Sequence, residues 1–501
     1  MTVQAATARV RALPLEALAL GALLLLHLAV NLATAGWYPA GWVDEAQFAD
    51  PALNWVVGRG WTSTVWISQT TDAFWAGNAP LFSALLAGWL HLLGRTDMQA
   101  VRSLNPLLLA LALPIAWDAV RRAGWLPSRG QRLLLALLLL SGHSIVFGMR
   151  WVRYDVLAML LASSALWAWV ALAGRWRLAA LVAVGALMPA TGLQLVPATL
   201  VTLAIVLALS KPRPWPPAAA LASGLVIGTA GLAGWFAAHG VLLDFMASTK
   251  AVGVIGQSFG AKLLAMPRVL AADKTLLLLL AAAAVAALLR GAGGGLRLRP
   301  LALPAALTFG IPLALQLAGK FPVYYAWMVY LPAFVLLSRL AAGLSARAAV
   351  LPWLLAALAC LPGLPLRLAA AWTAGQATEA AALDSLLWPH LRPGTRVLTD
   401  FKAYHAVRNA GAVPYGDTAL PMLRPGERAA LGWIVARPSE AAAWQRAVGG
   451  DWRLCASWNP PEPVAEWPQR LVLELREQHH GLQLWQRQDP ALKSTGTCDV
   501  Q

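Results

Sequence analysis

Long apolar runs alternate with short basic links from Leu15 to Leu368, and the pattern then stops. A run of roughly 20 apolar residues can cross a bilayer as a helix, and Lys and Arg gather in the cytoplasmic loops. The first run, about Leu15–Thr34, follows Arg9 and Arg11, which sets the N-terminus in the cytoplasm and Asp44-Glu45 outside. Asp50–Asn78 is polar, carries Trp55, Trp61, Trp66 and Trp75, and contains no span, so it is expected on the outer membrane surface. Pro80–Leu93 is short for a span and reads as an interfacial helix. Parity agrees: the next run, about Val101–Val120, ends at Arg121-Arg122, which belong inside, so one crossing separates them from Asp44.

Further spans are expected over about Leu133–Phe147, Val156–Ala173, Leu178–Pro189, Leu195–Leu209, Ala218–Ala238, Thr275–Leu289, Leu301–Ala318, Ala326–Leu340 and Val350–Leu368. A long outer loop, His239–Asp273, interrupts them. The total is about eleven transmembrane helices. After about Ala370 the spacing changes. Arg396–Asp400, Gly432–Ala436, Arg470–Glu474 and Gly481–Arg487 have strand character, and Thr378–Leu387 and Glu440–Ala447 have helical spacing. The fold class is therefore a polytopic α-helical membrane protein, residues 1–369, whose first outer loop (35–99) holds interfacial helices. Residues 370–501 form a soluble extracytoplasmic α/β domain.

Composition supports the membrane reading. The chain of 501 residues is 59% hydrophobic and 12% charged, against roughly 25% charged in soluble proteins. The net charge of +16 lies mostly in the short links, so it marks topology and makes the lipid bilayer the partner, not nucleic acid. Leu15–Leu26 lacks a small-residue cleavage site and reads as a retained anchor. Of three cysteines, Cys360 lies in an apolar run, while Cys455 and Cys498 can pair if the tail is extracytoplasmic.

With that topology, uncommon polar groups converge on the outer side: Asp44, Glu45, Arg102, Arg150, Arg153, Asp155, Lys250, Lys262, Arg268, Lys320, Tyr324 and Tyr325. Outer cations near spans call for a partner, and a lipid-linked phosphate supplies one. A carboxylate with phosphate-binding cations is equipment for moving a sugar from a lipid phosphate to a hydroxyl. The bland alternatives are an Arg153–Asp155 structural ion pair, an Arg102–Asp97 pair, solvated charge at Lys250, Lys262 and Arg268, and interfacial anchoring at Lys320. His27, Asn31 and His143 read as packing hydrogen-bonders, and His479-His480 lacks a second metal-ligand pair.

Asp44-Glu45 after the first span, Ala79-Pro80-Leu81-Phe82, Arg102, Arg153-Tyr154-Asp155 and Lys320-Phe-Pro-Val-Tyr-Tyr resemble, in order and spacing, the GT-C integral-membrane glycosyltransferases. The likeness points to the branch with dolichyl-phosphate-mannose protein mannosyltransferases and aminoarabinose transferases, and covers roughly 15–340. The resemblance implies a polyprenyl-phosphate-linked sugar donor, a glycan, lipid or protein acceptor outside the cytoplasm, and an inverting displacement in a bacterial inner membrane. It casts Asp44 as the base and Glu45 as its acidic neighbour, only one of which can reach the acceptor. Asn78-Ala79-Pro80-Leu81 departs from the family's usual His-Pro-Pro-Leu. Metal dependence is undecided, with a divalent cation the one cofactor left open. The competing function is a transporter or flippase of a polyprenyl-linked or anionic lipid, which needs polar residues along a mid-membrane path; the Leu- and Ala-rich span centres disfavour it. A polyprenyl-linked polymer ligase is expected to keep its key residues in a large late outer loop.

Overall fold

The computed structural model describes residues 3–37, 41–252, 258–292, 297–319, 321–374, 380–459, 481–488 and Cys498. It is a polytopic helical membrane protein with a small mixed-sheet unit at its C-terminal end. Helix α1 (Val3–Ala33) leads to α2 (Val43–Val56), an irregular segment, α3 (Leu81–Leu93) and α4 (Met98–Ala123). Local signals set these limits. Asp97 caps α4 by accepting from the amides of Gln99 and Ala100, and Gly124, with φ of 66°, ends it.

α5 (Arg129–Ser141) opens with a capping box from Ser128 and Gln131 and continues as α6 (His143–Arg150) after a 42° bend at Gly142. Then follow α7 (Asp155–Ala171), α8 (Gly174–Thr191), α9 (Leu195–Leu209) and α10 (Trp215–Ala238). The chain goes on through α11 (Leu242–Val252), α12 (Phe259–Ala272), α13 (Lys274–Ala292) and α14 (Arg299–Ala318). A 3-10 turn, Val323–Val329, leads into α15 (Tyr330–Ala341), α16 (Ala346–Leu358) and α17 (Leu364–Ala374). Among the described residues, six helices are long and apolar enough to cross a membrane, seven if the bent α5–α6 pair is one span, and four more are shorter and apolar.

Three sequence expectations change, one being the span expected over Leu133–Phe147, which is broken at the Gly142 bend. His239–Asp273 is not a loop: it holds α11 and α12. Val241, Phe245 and Ser248 are buried at helical spacing, Phe245 stacks on Phe236, and the Ser258 hydroxyl caps α12. The run Val350–Leu368 is broken between α16 and α17, where Gly363 crosses the α5–α6 bend. A Cβ on Gly363 would lie 1.7 Å from the carbonyl oxygen of Ser141. Gly363→Ala should therefore force these two helix breaks apart and destabilise the protein by about 1–3 kcal/mol, the usual cost of overpacking. Thermal unfolding in detergent measures this, and an unchanged midpoint would contradict the close crossing.

The breaks are lined by buried polar groups. The Tyr330 hydroxyl donates to Asp273 (2.7 Å), Ser144 donates to Tyr330 (2.9 Å), and the Thr275 hydroxyl donates to the Ala359 carbonyl (2.8 Å). The His143 and Ser144 amides freed at the α5–α6 bend donate to the Thr275 hydroxyl (3.0 Å) and to Asp273 (3.0 Å), so they find partners within the bundle, as an apolar surrounding requires. Arg367 reaches the His143 carbonyl and ring, so His143 is a packing hydrogen-bonder. His27 and Asn31 bond each other along α1.

The C-terminal unit contains α18 (Ala380–Leu387), β1 (Arg396–Thr399), α19 (Tyr404–Asn409), β2 (Val413–Gly416), α20 (Pro425–Ala429), β3 (Trp433–Ala436), α21 (Pro438–Val448), β4 (Trp452–Trp458) and β5 (Leu482–Arg487). Strand order is β2-β1-β3-β5-β4, parallel among the first three and antiparallel from β3 to β4. Strands β1, β3 and β5 coincide with three of the expected runs, while the fourth, Arg470–Glu474, and His479-His480 lie outside the described residues. Cys455 and Cys498 form a disulfide and Cys360 is a buried free thiol.

Candidate functional site

The site forms where α2, the turn between α6 and α7, and the 3-10 turn before α15 meet. Neighbouring residues on a helix point about 100° apart, and the first turn of α2 uses this to send its two carboxylates in different directions. Glu45 turns inward. Its carboxylate is fully buried and accepts a two-pronged bond from Arg102 of α4, 2.7 Å at Nε and 2.7 Å at Nη2. Burial alone would raise the Glu45 carboxyl, but the Arg102 guanidinium outweighs it and holds the group below the usual carboxylate range. The third arm of Arg102 donates to the Ala35 carbonyl at the end of α1 (2.7 Å). The Arg102–Asp97 pairing weighed from the sequence does not form; Asp97 bonds Arg95 and caps α4.

Asp44 turns the other way. Its side chain is 24% exposed and pairs with the Nη1 of Arg153, which is itself 2% exposed. Arg153 also donates from Nε to Asp155 (2.8 Å) and lies 3.7 Å above the ring of Tyr324, a cation–π stack. Tyr154 and Tyr325 share a hydrogen bond of 2.9 Å beside it. Arg153 is therefore held on three sides, and Asp44 is the carboxylate of this group that still meets solvent. Arg150 binds Thr34 at the exit of α1, with 3.0 Å to its carbonyl and 2.6 Å to its hydroxyl.

The turn presenting Arg153 is strained. Val152 is fully buried with φ of 49°, a left-handed conformation that a β-branched residue avoids. Such strain costs roughly 1–3 kcal/mol and persists only where surroundings over-determine it. Trp42, Phe147 and Trp151 pack around the turn with ring centroids 4.0–4.9 Å apart, and Phe147 stacks on Tyr324. Sequence reading passed over these aromatics and Val152. Apolar residues in an apolar chain carry no signal of their own, and backbone strain is invisible before folding.

Asp44, Arg153, Asp155, Tyr324 and Tyr325 thus come together, and the Glu45–Arg102 pair stands behind them. Lys250 is exposed on α11 and Arg268 on α12, while Lys262 donates to the Leu317 carbonyl (3.1 Å). Lys320 lies outside the described residues. The carboxylates of the site face guanidinium groups, and among the described residues no three His, Cys, Asp or Glu gather where they could hold a cation. A divalent cation needs several oxygen ligands, and this donor set does not fit one.

Sequence reading also missed how the C-terminal unit bears on α2. Asp50, with its carboxylate fully buried, accepts from Ser63 (2.8 Å), the Thr64 amide (2.7 Å), Tyr404 (2.5 Å) and Arg408 (2.5 Å). Burial and the Asp50 charge push the Tyr404 hydroxyl well above its ordinary range, so it stays a donor. Nearby, Thr64 donates to the Pro414 carbonyl (2.6 Å), and a Cβ on Gly41 would sit 2.6 Å from the Phe401 carbonyl oxygen. The one sequence trace of this junction is the i,i+4 spacing of Tyr404 and Arg408, which puts both on one helix face.

A cavity of about 390 Å³ opens among α7, α9, α14 and α15. Its lining is almost wholly apolar, and along α15 it runs from Trp327, in the turn that carries Tyr324 and Tyr325, to Arg339. At helical rise that is roughly 18 Å.

This fold is shared with solved structures of low sequence identity. It aligns with ArnT of Cupriavidus metallidurans in a crystal structure bound to undecaprenyl phosphate. The TM-score is 0.58 at 14% identity, over 93% of this chain and 97% of that one. Against the apo form of the same ArnT the TM-score is 0.56 at 13% identity, over 93% and 98%. By sequence, no protein-family model and no curated protein matches the chain.

Proposed function

We propose that the protein is a glycosyltransferase that moves a sugar from a polyprenyl-phosphate donor to a hydroxyl of a cell-envelope glycan, lipid or protein outside the cytoplasm. The observation that carries this reading is Asp44: a carboxylate with solvent access, aimed by a buried arginine that Asp155 and Tyr324 hold in turn. Asp44 accepts the acceptor's hydroxyl proton as that oxygen attacks the anomeric carbon. The bond from that carbon to the phosphate oxygen breaks, and the electron pair leaves with the phosphate, so configuration inverts. Cations stabilise the departing phosphate; Lys250, Lys262, Arg268 and Lys320 are the candidates, with Arg150 at the exit of α1.

Three further observations support the reading. The apolar cavity beside the tyrosine turn suits a prenyl chain. The ArnT with this fold was crystallised with undecaprenyl phosphate. The Cys455–Cys498 disulfide agrees with an oxidising compartment, and hence with a bacterial inner-membrane protein whose C-terminal unit is periplasmic and whose N-terminus is cytoplasmic. Transport of a lipid is disfavoured by the apolar span centres.

Native mass spectrometry of the purified protein should find bound polyprenyl phosphate, and reconstituted protein should transfer labelled sugar from a polyprenyl-phosphate donor to envelope extract. Movement of the lipid across vesicles without sugar transfer would replace this function with the transporter.

A further inference from the structure

Three residues of α19 reach the first outer segment together. Tyr404 and Arg408 grip Asp50, and His405 between them points at the other end of α2. The His405 ring is 3% exposed, and its Nε2 stands 3.5 Å from Glu45 Oε1. Neither ring nitrogen has a hydrogen-bond partner among the described residues. The charged groups facing the ring are Glu45 of α2, Arg102 behind it on α4 and Asp384 on α18. A buried polar nitrogen without a partner is costly to keep, and here it sits against the carboxylate next in sequence to Asp44.

We propose that His405 is a positioning residue for sugar transfer. It bears on Glu45, fixes the rotation of the first turn of α2, and so sets the direction in which Asp44 meets the acceptor. The inference rests on the proposed transfer reaction and extends it, because it makes the C-terminal unit part of the reaction site. The geometry explains why one carboxylate pair needs grips from two sides. Arg102 holds Glu45 from the membrane helices, and His405 closes on it from the sheet unit. Because Glu45 and Asp44 are adjacent on one helical turn, a small rotation of Glu45 moves Asp44 as well. A misplacement of about 1 Å at a reacting group can lower a rate by about 100-fold.

The test compares His405→Ala and His405→Gln in the full-length protein. A glutamine amide can bear on Glu45 as the ring nitrogen does, and alanine cannot. Expected for His405→Ala is a kcat lowered by about 10- to 100-fold with KM for the polyprenyl-phosphate donor unchanged, and substantial recovery in His405→Gln. Hydrogen exchange over residues 43–47 should quicken in the alanine variant and not in the glutamine variant. A kcat unchanged in His405→Ala overturns the proposal, as does a rise in KM alone, which would mark substrate contact. Equal losses in both variants with unaltered exchange in α2 also overturn it. If the wild-type protein transfers no sugar, the function proposed above fails, while the exchange measurement still decides whether His405 sets α2. If His405→Ala does not fold, wild-type-like exchange and kcat in His405→Gln support the proposal, and loss of either overturns it.

Discussion

Asp44→Asn should abolish transfer while leaving the protein folded and inserted. Removing a positioned general base lowers rates by about 10²–10⁴-fold, and asparagine has the shape of aspartate without its basicity. The fold should tolerate the change because Arg153 keeps its bond to Asp155 and its place over Tyr324. The measurement is the initial rate of labelled sugar transfer in proteoliposomes, read beside the size-exclusion profile and donor binding. Donor binding should persist, since Asp44 is assigned to the acceptor side. Full activity in a correctly folded Asp44→Asn would remove the carboxylate from the reaction.

The largest effect on stability is expected at Asp50. Its carboxylate is fully buried and joins α2 to α19. Asp50→Ala leaves the Arg408 guanidinium, 9% exposed, without a counter-charge, and stranding a buried charge costs about 3–5 kcal/mol. Tyr404 loses its acceptor as well. Denaturation in detergent should show the loss, and limited proteolysis should cut the C-terminal unit away more readily. Replacing both partners, as in Asp50→Leu with Arg408→Met, should restore part of the stability, because an apolar pair needs no compensation. If the double variant is no better than the sum of its single changes, the two residues are not coupled.

Much of the membrane unit was legible in the sequence because a bilayer imposes one demand on every span. Leu195–Leu209 matches α9 end for end, and Pro80–Leu93 contains α3. The helix breaks at Gly142 and Gly363 were passed over although Ser141-Gly142-His143-Ser144 interrupts one apolar run and Pro362-Gly363 the other; how they bend is fixed by their tertiary crossing. The α11–α12 segment was missed because its buried positions are few. At the site, Asp44 and Arg153 could be nominated from residue type and place along the chain. Their partners could not: Glu45 finds Arg102 across 57 residues and Asp50 finds Arg408 across 358. Charge pairing over such distances is decided by how the helices pack, and one sequence does not encode it in any local pattern.

Val152 acts as a compressed spring beneath the arginine. Its left-handed backbone runs straight into Arg153, whose Nε is tied to the buried Asp155, so cutting that tie frees the spring as well as the charge. Variants at Asp155 should then displace a whole turn, and their kinetics will report a moved arginine and not merely a missing acid.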